Sequence, residues 1–227
     1  MRLLPVLGLS TALLMPLAAW ADTSGTLTVT GSATVNVVPD MATITLGVTT
    51  MGDTAASAMA ANNEAVSGVI ARLIAAKVAD RDMQTSNLSL NPNWVANAAG
   101  DGQVIKGYVA SNLLTVRIKA LETTGTVLDA AITDGANTLN GLTFGLANPR
   151  PTEDEARKAA VADAMARAKV LADAAGAKLG LIQSITEGGA AEPGPLPMFK
   201  AMDAAAVPVA AGEVGISASV TIVWALK

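Results

Sequence analysis

The chain contains no cysteine and no histidine in 227 residues, and aromatic residues make up only 3% of it. Without cysteine there is no disulfide to staple an exported fold, so a packed core must hold it together. The same absence removes a thiol nucleophile, and the lack of histidine removes a Ser-His-Asp triad and the usual zinc sites. Beyond the first 21 residues the aromatics are Trp94, Tyr108, Phe144, Phe199 and Trp224. That is too few to build a stacking platform for bases. A basic excess is missing too: the formal charge is −4. With nothing to displace counterions from a phosphate backbone, no nucleic acid is expected as a partner.

Glycine motifs that cradle phosphates are also missing. Gly102 and Gly107 have P-loop spacing, but Tyr108 stands where lysine is needed. There is no G-x-G-x-x-G, no G-x-S-x-G elbow and no Ser-x-x-Lys dyad. Carboxylates remain. Glu153, Asp154 and Glu155 are consecutive, so on a helix they diverge by about 100° each and suit a helix N-terminus better than one cation. Asp80 and Asp82 flank Arg81 in what reads as a solvated turn. The inventory therefore predicts a non-enzymatic protein with no catalytic residue, no cofactor and no metal site. The alternative from another class is a small-ligand-binding or hydrolytic protein that uses carboxylates from distant parts of the chain.

What is present begins with an export signal. Arg2 precedes an apolar stretch, Leu3 to Leu17, and Ala19-Trp20-Ala21 supplies small residues at the positions a signal peptidase reads. The stretch is shorter than the ~20 residues of a membrane span and contains Pro5 and Pro16. Cleavage after Ala21 is expected, giving a periplasmic protein over residues 22–227 with no transmembrane span. Loss of Arg2 takes the formal charge from −4 to −5.

Alternation of apolar and Thr/Ser residues predicts strands over 26–38 and 42–49. Asp53 or Thr54 then caps a helix to Lys77 whose stripe is Met59, Asn62, Val66, Val69, Ile70 and Leu73. Strands follow at 83–90 and 104–118, with a loop over 91–102. A short helix at 123–134 ends at Gly135, and a strand covers 142–147. The second long helix is read as 152–175, with Thr152 and Glu155 at capping-box spacing and Gly176 ending it. Ala156, Ala160, Ala164, Ala168, Ala172 and Ala175 line one side, where small residues allow close approach to a sheet. Glu153/Arg157, Asp154/Lys158, Asp163/Arg167 and Lys169/Asp173 stand at i,i+4 and read as a solvated face. Strands at 181–186 and 214–226 complete the chain.

The order is ββαββαβαββ, an α+β fold of mixed sheets with packed helices. A helix followed by two strands occurs twice, near 54–118 and 152–226, which suggests a duplicated αββ unit. Between the last two strands lies an Ala/Pro/Gly-rich loop, 188–212, carrying Leu196, Met198, Phe199 and Met202. Apolar residues in such a loop, together with unusually long strands, point to contacts with other protein surfaces. A homo-oligomer is expected, with envelope proteins as further candidate partners.

Several short motifs carry a family resemblance. They are Gly31-Ser32-Ala33, Val38-Pro39-Asp40-Met41-Ala42, and Ala79 through Thr85 with its Asp-Met-Gln-Thr entry to a strand. Gly107 through Asn112, Gly135-Ala136-Asn137, Glu155 through Ala164, Lys169, Ala175-Gly176 and Pro208 through Val214 follow in order. In this pattern the chain resembles the SIMPL-domain family, whose bacterial members include periplasmic immunogenic and oxidative-stress defence proteins. The resemblance implies an extracytoplasmic location, a mixed α/β fold and a tendency to assemble, with a link to stress resistance. It brings no catalytic residue. The Ala/Pro-rich loop at 188–212 departs from common members.

Overall fold

The structure is a computed structural model that describes residues 25–97, 102–188, 195–196 and 209–227. The expected signal peptide, and Met198, Phe199 and Met202 of the loop, lie outside the described residues. The strands are β1 (Thr26–Val37), β2 (Met41–Gly52), β3 (Met83–Ala96), β4 (Gln103–Ile118), β5 (Thr138–Gly145), β6 (Leu179–Glu187), β7 (Pro195–Leu196) and β8 (Glu213–Leu226). The helices are α1 (Ala55–Ala75), α2 (Thr124–Thr133) and α3 (Arg150–Ala174), with 3-10 turns at Asp80–Asp82 and Leu121–Thr123. Apart from the two-residue β7, this is the order expected from periodicity.

The strands form two sheets, and every ladder is antiparallel. One sheet runs β1-β8-β6, with β7 also on β8; the other runs β3-β4-β2-β5. Helix α3 lies on β1 and β8, while α1 lies on β2 and β4. In each half a helix is followed by a hairpin whose second strand is central and pairs with a strand preceding the helix. This is the αββ repetition seen in the sequence, now with a strand order: β3-β4-β2 in one half and β6-β8-β1 in the other.

Each half has its own hydrophobic cluster. One joins Ile44, Leu46, Val48, Val69, Leu73 and Val116; the other joins Val29, Ala160, Ala164, Ala168, Ile222 and Trp224. The chain passes between the sheets at β1–β2 and again at β5–α3. Asp40 ties the two crossings: its amide donates to the Gly145 carbonyl at 3.1 Å, and its Oδ1 accepts from the Ala147 amide at 2.6 Å. The Pro39-Asp40 break between two strand patterns thus marks a change of sheet.

The small-residue stripe on α3 is buried from Ala156 to Ala172, whereas Ala175 caps the helix and is exposed. It meets Gly31 of β1, where an added Cβ would overlap the Ala160 carbonyl oxygen and lie 2.7 Å from Ala164 Cβ. No side chain fits between helix and strand there. On α1, Thr54 is the N-cap and forms a reciprocal capping box with Ser57. The α2 and α3 ends use left-handed Gly135 (φ 113°) and Gly176 (φ 68°) as expected.

Three local expectations are corrected. The segment 91–96 is not loop but the continuation of β3, with Trp94 opposite Ile105 and Val95 opposite Val104. Pro92 is tolerated because β3 is an edge strand and its register shifts between Pro92 and Trp94. Second, Thr152 and Glu155 form no capping box: α3 starts at Arg150 after Pro149, with no side-chain cap, so Thr152 is already inside the helix. Proline at position 151 suits the first turn, where its missing N–H costs nothing. Third, the face bearing Asp163 and Arg167 is not merely solvated. Asp163 Oδ2 accepts from the Ser32 amide at 3.0 Å, and Arg167 donates to the Thr30 carbonyl at 2.9 Å. This i,i+4 pair therefore grips the β1 backbone.

Candidate functional site

The charged groups are organised by the fold and not around an open cleft. Asp82, expected in a solvated turn, is buried. It accepts from Lys119 Nζ at 2.8 and 3.0 Å, with Arg117 Nε at 3.7 Å. The Lys119 hydrogen bond holds its carboxyl below the usual carboxylate range against the opposing effect of burial, and the positive charges of Lys119, Arg117 and Arg81 add to this. The pair pins the turn before β3 to the end of β4. Asp80, two residues earlier, is exposed.

Of the three acidic residues at the start of α3, Glu153 and Asp154 converge on Arg157, at 3.3 and 2.8 Å, and Glu155 is exposed. Arg157 also donates to Glu187 of β6 at 2.6 Å. Its guanidinium is held more firmly protonated by Glu187 first and Asp154 second. The cluster fastens α3 to β6. Arg72 and Asp134 similarly join α1 to the end of α2. Asp154 does not pair with Lys158, nor Lys169 with Asp173, among the described ion pairs. No group of three metal-ligating side chains occurs among the described residues. No described helix is long and apolar enough to cross a membrane.

Uncovered apolar surface is the more prominent feature. Strand β6 is an edge strand whose Leu181 (79% exposed), Ile182 and Ile185 lie outside the core. Strand β3 is the corresponding edge of the other sheet, with Leu88, Leu90 and Trp94 exposed. A shallow groove of about 310 Å³ runs between α1 and the start of β3, lined by Ile70, Ile74, Met83, Thr85, Leu114 and Asp80 among others. Asp80 is its one carboxylate. The sequence had drawn attention to the 188–212 loop instead; from it the structure places Leu196 only as backbone, in β7 against Glu213. Of the exposed β3 residues, Trp94 went unnoticed because residues 91–96 read as loop.

The model of the SIMPL family, described as "Protein of unknown function (DUF541)", matches residues 27–224. The chain belongs to the SIMPL family. It is 40% identical over 212 residues to the 26 kDa periplasmic immunogenic protein of Brucella melitensis, covering 88% of this chain and 84% of that protein. It is 33% identical over 184 residues to the uncharacterized protein YggE of Escherichia coli K12, covering 81% of this chain and 73% of YggE.

The SIMPL motifs seen in the sequence now have physical places. Gly31 and the alanines from Ala156 to Ala164 are the two sides of one helix–strand contact. Asp40 ties the crossings between sheets. Asn137 extends the β2–β5 ladder with its side chain: Nδ2 donates to the Thr49 carbonyl and Oδ1 accepts from the Thr49 amide, both at 2.8 Å. Buried Asn62, read as part of the α1 stripe, donates to the carbonyls of Val48 and Ala110 and so bridges α1 to β2 and β4. These polar residues are engaged in holding the SIMPL fold together.

Proposed function

We propose that this SIMPL-family chain is a non-enzymatic periplasmic protein that works by associating with protein surfaces, in the first place with copies of itself. The observation that carries this reading is the pair of edge strands, β3 and β6, whose apolar side chains no other described element covers. An open edge with exposed apolar residues favours pairing with another chain, and closed symmetry removes the aggregation hazard that such an edge creates. The non-enzymatic part is supported by the engagement of Asp82, Asp134 and Arg157 in ion pairs between elements. Envelope proteins are the second class of partner, and the link to stress resistance is carried by the family resemblance alone.

The periplasmic location is supported by the signal-peptide pattern of residues 1–21 and by the similarity to the Brucella periplasmic immunogenic protein. Intact mass of the protein recovered from a periplasmic fraction should correspond to a chain beginning at Asp22. Retention of Met1 there would contradict cleavage. Light scattering on that material should give a multiple of the single-chain mass.

A further inference from the structure

Two uncovered apolar features lie at opposite ends of β3. At the far end the β3–β4 hairpin outruns its sheet. Strand β2 stops at Gly52, opposite Tyr108, so beyond the Pro92–Tyr108 pair the hairpin is a two-stranded ribbon with no third strand beside it among the described residues. On one face Trp94 (52% exposed) stands opposite Ile105 (45%); on the other Val95 stands opposite Val104 (48%). At the near end lies the groove between α1 and Met83–Thr85. A strand rises about 3.3 Å per residue, which places Trp94 roughly 36 Å along β3 from Met83. The ribbon therefore cannot fill its own chain's groove.

Resting on the self-assembly reading above, we propose that the ribbon of one copy docks into the α1/β3 groove of a second copy, with Trp94 as its anchor. Size and charge agree. The groove, about 310 Å³, has an apolar wall of Ile70, Ile74, Met83 and Leu114 and a single carboxylate, Asp80. The ribbon carries an apolar aromatic and, next to Ile105, Lys106. Lys106 and Asp80 are both exposed, and neither forms an ion pair with a described residue of its own chain. Lys106 follows Ile105 and so starts from the face opposite Trp94, but among the described residues no strand pairs with the β4 edge beside it, and its flexible four-carbon stem can reach around that open edge to the groove wall. A buried tryptophan beside a paired charge is the kind of centre that dominates interface energy. The contact is head-to-tail, so it closes as a ring or runs on as a filament.

The test uses the exported protein and its variants, with association measured by sedimentation equilibrium and folding checked by circular dichroism. Trp94→Ala should weaken association at least about tenfold with an unchanged spectrum. Lys106→Glu and Asp80→Lys should each weaken it, because each opposes like charges across the contact. The double variant Lys106→Glu/Asp80→Lys should recover wild-type association at the wild-type net charge. An oligomer indifferent to Trp94→Ala, or a double variant no better than the single ones, overturns the ribbon-in-groove contact while leaving self-assembly standing. A monomeric wild-type protein overturns both.

Discussion

At Gly31 the addition of one carbon would drive β1 into the backbone of α3, which is not free to retreat because Asp163 and Arg167 hold it to the same strand. Gly31→Ala should cost about 1–3 kcal/mol, the range for overpacking a well-filled contact. Gly145→Ala is the control, because nothing lies within 4 Å of its Cβ and its φ is not positive. Its effect should be near zero or stabilising by up to about 1 kcal/mol. Denaturant midpoints separate the two. Asp82 provides a pH signature at the same scale. Its folded pKa is lowered, so its contribution to stability is present above the unfolded value of about 3.9 and is lost as pH falls through the folded one. Asp82→Asn should therefore be less stable than wild type at neutral pH, with the gap narrowing as pH drops below about 4. A gap of constant size across that range would show that Lys119 and Arg117 do not stabilise the carboxylate.

Among the elements, α3 separates what periodicity reveals from what it hides. The alanine stripe was legible because one residue type recurs at helical spacing, and Ala164→Leu should overpack it by about 1–3 kcal/mol. The role of Asp163 was not legible, since an i,i+4 pair looks the same whether it faces water or grips a neighbouring strand. Its hydrogen bond to the Ser32 amide predicts a loss of about 0.5–1.5 kcal/mol for Asp163→Ala, measurable by urea unfolding. The capping box misled for a related reason: Thr152 and Glu155 have the right spacing, yet the proline pair at 149 and 151 starts the helix earlier. In β3, Pro92 and the asparagines around it have turn composition, and only pairing with β4 at a register shift makes them strand. Trp94, on the ribbon, was hidden by that same composition, whereas Val104 and Ile105 fell in a segment read as strand.

For the whole molecule, element order and α+β class were readable from alternation and helical stripes, but the division into two sheets was not. Strands β1 and β2 read alike, and nothing in their residues says that they part company at Asp40. Two separate clusters predict two units of local stability. In native-state hydrogen exchange, Ala164→Leu should loosen β1 and β8 while leaving the amides of β2 and β4 protected. A uniform loss across both sheets would mean that the tie at Asp40 makes them one cooperative unit. The edges of β3 and β6, left uncovered by the described elements, are proposed to meet other chains. Sedimentation velocity of the wild-type exported protein at micromolar concentration checks this. The expected result is a discrete species at a multiple of the mass of the chain beginning at Asp22; a single species at the mass of one such chain would contradict it.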